Sequence, residues 1–230
     1  MNIEENVRLV KEKIRAAATG RTVTLVAATK MNDADTVRRA IAAGIDASGE
    51  NRVQEMMEKR EQGAYEGAPL HFIGSLQKNK VKYIIDKVDM IESLDSLSLA
   101  AEIDKQAKKA GIKMPVLIEL NIGREESKGG IFPEELPALC DALRAYESIV
   151  PSGLMTIAPI CENKDDYNGY FSEMKRLLDT VFKVKFPESQ HPILSMGMSG
   201  SFHEALQNGT DIIRIGEGIF GKRGEPYKKI

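Results

Sequence analysis

The chain has 230 residues, 42% of them hydrophobic and 29% charged, with a formal net charge of −2. That length holds one large domain and is short for two, and the near-neutral balance argues against nucleic acid as an obligate partner. No run of about 18 apolar residues occurs, so no membrane span is expected. Cys140 and Cys161 stand apart with no CxxC and only three histidines in the chain, which argues against a zinc site or a disulfide framework.

The N-terminal segment, MNIEENVRLVKEKIRAAATG, reads as a charged amphipathic helix with Ile3, Val7, Val10 and Ile14 at three- to four-residue spacing. Its acidic residues fit neither a secretory signal nor a transit peptide, so a cytoplasmic location is expected. Eight apolar runs follow: VTLVAAT (23–29), IDAS (45–48), PLHFIG (69–74), VDMIES (88–93), MPVLIELNI (114–122), IVPSGLMTIA (149–158), PILSMGM (192–198) and DIIRIG (211–216). Helix-like segments lie between them at 33–43, 51–62, 77–86, 96–110, 134–146, 165–183 and 200–208. Asp33 and Asp95 stand where N-caps are useful, and Gly44, Gly111 and Gly209 where helices stop. Lys78, Lys80 and Lys82 read as solvated helix surface.

Strict β-then-α alternation implies parallel strands joined by right-handed crossovers. Eight such units predict an α/β fold, a single (β/α)8 TIM barrel with an extra N-terminal helix, forming one domain over 1–230. A doubly wound open sheet is the alternative. No Pro/Gly/Ser-rich linker and no internal repeat divides the chain.

In such a barrel the chemistry sits at the C-terminal ends of the strands. Those ends carry Thr29-Lys30, Gly49-Glu50-Asn51, Gly74-Ser75, Glu92-Ser93, Asn121, Met155-Thr156, the run Gly197 to Ser201, and Arg214-Ile215-Gly216. Lys30 directly follows a run expected to be buried. It is either an ion-pair partner or a desolvated amine able to attack an aldehyde. MGMSGSF after strand 7 and RIGEGIFG after strand 8 offer backbone amides and small residues where barrels of this kind bind phosphate. Arg214 cannot shed its charge and must point at something polar. Either it faces a pyridine nitrogen, where it would disfavour pyridinium, or it pairs with Glu119 or Glu217. His71 reads as a hydrogen-bonded strand residue, and Met155, Met196 and Met198 as packing of the barrel mouth. Asn51 contacts a ligand ring or caps the following helix.

Taken together, VAATK (26–30), GENRVQE (49–55), HFIGSLQKNK (71–80), NIGREESKGG (121–130), GLMTIAP (153–159), LSMGMSG (194–200) and IRIGEGIFGKR (213–223) resemble the pyridoxal-phosphate homeostasis protein family. Its fold is similar to the N-terminal barrel of alanine racemase. The resemblance implies that Lys30 carries pyridoxal 5′-phosphate as a Schiff base and that Arg214 approaches the ring nitrogen. It also implies that Asn51 and Met155 lie at the cofactor and that Ser199, Gly200, Gly216 and Glu217 help hold its phosphate. Three residues depart from the family pattern. Ser75 stands where proline or histidine is frequent, Ser201 where aspartate is, and Glu217 where threonine or serine is. A carboxylate near phosphate repels it, so the Glu217 side chain should turn away.

The expected function is therefore intracellular pyridoxal-phosphate (vitamin B6) homeostasis and supply by a non-enzymatic monomer, with transient contact to enzymes that use the cofactor. The alternative is an amino-acid racemase of the same fold. Racemases of this kind use a tyrosine from a further β-domain as their second base, and here only GKRGEPYKKI, with Tyr227, follows the eighth strand. A Schiff-base aldolase acting on a sugar phosphate is a third possibility.

Overall fold

Eight parallel strands close on themselves in sequence order in the computed structural model, which describes residues 2–221. They are β1 Thr24–Ala28, β2 Ala47–Glu50, β3 Leu70–Phe72, β4 Met90–Leu94, β5 Met114–Leu120, β6 Ile149–Thr156, β7 Ile193–Ser195 and β8 Ile212–Ile215. The ring is sealed where β1 meets β8, with Val26 opposite Arg214 and Ala27 opposite Ile215. The expected (β/α)8 barrel with its preceding helix forms.

The helices are α1 Ile3–Ala17, α2 Ala34–Ala42, α3 Val53–Glu61, α4 Val81–Ile84, α5 Leu97–Ala110, α6 Leu136–Leu143, α7 Lys164–Leu177, α8 Lys183–Lys185, α9 Phe202–Gln207 and α10 Glu217–Phe220. None of the described helices is long and apolar enough to cross a membrane. Helix α1 buries Ile3, Val7, Val10 and Ile14 in a cluster with Leu206 of α9 and Ile219 of α10. At roughly 2 kcal/mol per buried side chain, this stripe holds the helix in place. Asn6 reinforces it by donating to the Ile219 carbonyl at 2.8 Å.

Three aspartates tie the strands together at their N-terminal ends. Asp46, Asp89 and Asp211 each stand just before a strand and accept the backbone amide of Leu25, Leu70 and Leu194, respectively, each at 2.8 Å.

Local signals and structure differ at a few places. Strand β2 lies two residues later than the apolar run IDAS, because buried ion pairing lets it run through the polar Glu50. Ser96, not Asp95, caps α5 by accepting the Leu99 amide at 3.3 Å, and Asp95 instead accepts the Ser96 hydroxyl. Asp33 caps α2 through the Thr36 amide as expected. Gly44, Gly111 and Gly209 all take positive φ where helices end, which glycine adopts without strain.

Candidate functional site

Alternation along the strands decides what faces the barrel axis. Val26, Ala47, Ile73, Leu117, Met155 and Ile212 form the inner core, with Ala28 packed against them. Thr29, buried, and Lys30, partly buried, follow directly after the last residue of β1. The Lys30 turn is fixed from behind. Lys59 of α3 donates to the Thr29 carbonyl at 2.8 Å and pairs at 2.7 Å with both Glu50 and Glu55. Glu50 Oε1 also accepts the Thr29 hydroxyl at 2.7 Å and the Tyr65 hydroxyl at 2.9 Å. Glu55 accepts the amide of Met31, a residue held at φ 63°. Burial and the neighbouring Glu50 charge push the Tyr65 phenol well above its ordinary range, so it acts as a donor.

Arg214 is buried in the wall. It donates through Nη1 to the Ser195 hydroxyl and through Nη2 to the Thr156 carbonyl at 2.7 Å. Its charge is balanced by Glu92, whose Oε2 lies 3.8 Å from Nη1 and accepts the Ser195 hydroxyl at 2.6 Å. His71 Nδ1 completes the chain at 2.7 Å from Glu92 Oε1. Burial works against ionisation of Glu92, yet His71, Arg214 and Ser195 together hold its carboxyl below the usual range. It is therefore a carboxylate, and His71 Nδ1 is the donor. The two carboxylates weighed for Arg214 in the sequence, Glu119 and Glu217, give way to Glu92. Glu217 is exposed.

The loops after β7 and β8 meet at the neighbouring rim. Gly197 takes φ 94° and packs so closely that a Cβ there would lie 2.6 Å from Ala205 Cβ, so only glycine makes this turn without strain. The Ser199 hydroxyl accepts the Gly218 amide at 3.3 Å and ties the two loops together. The amides of Ser199, Gly200 and Glu217 find no backbone acceptor among the described residues. Gly216 sits with its Cβ position 3.6 Å from Ala28 Cβ, which brings this edge beside the end of β1.

Asn51 does not cap α3. The capping position is Arg52, and the buried Asn51 Oδ1 has no hydrogen-bond partner among the described residues. Its backbone is pressed against Gly74, where a Cβ would lie 2.5 Å from the Asn51 carbonyl oxygen. Met155 and Met196 are buried as packing residues, whereas Met198 is partly exposed on the rim. Tyr227 lies outside the described residues.

The structure thus brings Lys30, Arg214, Met155, Ser199, Gly200, Gly216 and Glu217 to one end of the barrel, with Asn51 at the end of β2. Reasoning from sequence missed Ser195 and Lys59, and it named Glu50 and Glu92 only as residues of strand ends, without their partners. The available signal was Glu92, a carboxylate inside the run VDMIES destined for burial, since an unpaired buried charge is prohibitive.

Residues 1–224 match the family model of the alanine racemase N-terminal domain. The chain is 41% identical to the pyridoxal phosphate homeostasis protein of Aquifex aeolicus, over 97% of this chain and 99% of that one. It is 36% identical to the Escherichia coli protein of the same name, over 96% and 97% of the two chains. Among solved structures it is similar to PipY of Synechococcus elongatus with PLP bound, at TM-score 0.84 and 29% identity, covering 95% of this chain and all of that one. An alanine racemase of Clostridium difficile shares the fold at TM-score 0.73 and 16% identity, and this chain covers 61% of it. The chain belongs to the alanine racemase N-terminal domain family and, within it, to the pyridoxal phosphate homeostasis proteins.

Proposed function

We propose that this chain binds pyridoxal 5′-phosphate reversibly through Lys30, as a Schiff base, and acts in keeping and supplying that cofactor. The observation that carries this reading is the placement of Lys30, Arg214 and the paired loops after β7 and β8 on adjacent strands, where β8 closes against β1. The residues fit the cofactor: an amine for its aldehyde, amides at Ser199, Gly200 and Glu217 without a backbone acceptor among the described residues for its phosphate, and, at the end of β2, the Asn51 Oδ1 without a partner among the described residues. When bound, pyridoxal phosphate supplies an aldehyde that condenses with amines.

What the chain's own residues do favours holding over turnover. Arg214, compensated by Glu92 and fixed by Ser195 and Thr156, presents a permanent cation that opposes protonation of a ring nitrogen and weakens an electron sink. The described tyrosines are engaged elsewhere. Tyr65 bonds Glu50, Tyr83 is exposed, and Tyr146, Tyr167 and Tyr170 lie in the outer core, so none of them stands as a second base. As a monomer, the chain hands on its cofactor through transient contacts with enzymes that use it. The exposed apolar Met31, just after Lys30, and Ile160, after β6, offer such contacts.

The test is the visible spectrum of the purified protein with pyridoxal phosphate beside that of Lys30→Ala. The expected result is a Schiff-base band in the wild type that is absent from the variant. Loss of the band in neither protein would overturn Lys30 as the attachment point, and efficient Lys30-dependent racemisation of amino acids would overturn the carrier reading.

A further inference from the structure

The inner wall holds one more carboxyl that the cofactor reading leaves without a task. Glu119 is on β5, opposite Met155 of β6, and is 94% buried by its relative exposure of 6%. Its side chain forms no hydrogen bond or direct ion pair among the described residues, in contrast to Glu92 and Glu50. Asn121, two residues on, holds the following loop over the wall by donating to the Glu125 carbonyl at 2.8 Å and accepting the Glu125 amide at 3.0 Å. That loop returns along β5 through the Ile131 amide, which donates to the Glu119 carbonyl at 2.9 Å. Gly129 in the loop roofs the carboxyl, with its Cβ position 3.5 Å from Oε2.

The charged groups that act on Glu119 are Arg214 from β8 and Asp95 from the end of β4. The facing residue of β6, Met155, and the roof, Gly129, carry no charge. We propose that Glu119 is an affinity-determining residue of the Lys30 site, one whose buried carboxyl charge repels the anionic cofactor. The proposal rests on the cofactor reading above.

Arg214 already has one compensating carboxylate in Glu92, so the cluster of Arg214 and Glu92 is neutral and an ionised Glu119 makes it negative. A negative wall beside the ligand's seat repels a phosphate-bearing anion, and burial leaves little water to screen the repulsion. Burial pushes the Glu119 carboxyl up to about 7, with Arg214 opposing the rise and Asp95 adding to it. The repelling charge therefore appears around neutral pH. Binding and protonation are linked, so a ligand that prefers the neutral acid is held less tightly as pH rises.

The experiment titrates the cofactor-free full-length protein with pyridoxal phosphate by absorbance from about pH 5.5 to about pH 8.5, on either side of the value near 7, for wild type and Glu119→Gln. The ligand's own proton equilibria are common to both proteins and cancel in the ratio of their Kd values. The expected ratio of wild type to variant is near one at the acidic end and climbs to about tenfold at the alkaline end, as one pH unit of linked titration gives a factor of ten. A ratio that stays constant across the series overturns the proposal. Should Glu119→Gln fail to fold, Glu119→Met is equally uncharged and takes its place in the same comparison. The two readings fail differently. If neither protein gives a saturating band at any pH, the cofactor reading falls, whereas saturation with a flat ratio sinks the role of Glu119 alone.

Discussion

Glu92 and Arg214 share one hydroxyl: Ser195 donates to the carboxylate at 2.6 Å and accepts from the guanidinium, while the two charges stand 3.8 Å apart. Three strands, β4, β7 and β8, are thereby joined across the barrel by a single polar chain. His71 extends it to β3 and the Thr156 carbonyl to β6. A permanent cation this deep is tolerated only because the chain is complete, since desolvation of each member would otherwise cost several kcal/mol.

Removing the charge of Glu92 should therefore be more damaging than its small change in size implies. Glu92→Gln leaves Arg214 buried without its counter-charge, and a loss of about 3 to 5 kcal/mol of folding stability is expected. Urea denaturation measures it. The double variant Glu92→Gln with Arg214→Met should recover a large part of that loss, because neither charge is then stranded. Independent, additive losses would contradict the coupling.

The turn that presents Lys30 depends on Lys59, which bonds the Thr29 carbonyl and pairs with Glu50 and Glu55. Lys59→Met should cost about 3 kcal/mol, as Glu50 is left buried and under-compensated. It should also weaken pyridoxal phosphate binding, although Lys59 faces away from the barrel axis. Thermal unfolding and a cofactor titration check the two effects. Unchanged affinity in a folded variant would separate Lys59 from the site.

Glu119 gives the fold itself a pH dependence. With its carboxyl raised from 4.5 to about 7, the native state keeps a proton that the unfolded chain releases. The native state is thus favoured by this group below about 4.5, and that advantage is lost as pH rises to about 7. Relative to Glu119→Gln, wild-type stability should decline over this window by up to about 3 kcal/mol, at about 1.4 kcal/mol per pKa unit, and then level off. Denaturation curves of the two proteins across the window measure the difference. Parallel curves would contradict it.

The barrel was legible because its signals are local and repeated. Eight apolar runs alternate with amphipathic ones, and glycines such as Gly111 end helices in the only conformation that lets the chain turn back. The positions of Lys30, Arg214 and the Gly/Ser turns were legible for a related reason: the fold puts strand ends on one rim. What stayed hidden is pairing across the barrel. Nothing local to Glu92 or Ser195 says that residues 103 positions apart will meet. The shift of β2 onto Glu50 was hidden likewise, because the partners that make its burial tolerable, Lys59 and Tyr65, lie in and after the next helix. Hydropathy sees the charge and cannot see its compensation.

The most direct measurement of the central claim is to mix the protein with pyridoxal phosphate, reduce the adduct with borohydride, and map the modified residue by peptide mass spectrometry. The account predicts one dominant pyridoxyl modification, on the peptide containing Lys30. A dominant modification on another lysine, with Lys30 recovered unmodified, would contradict it.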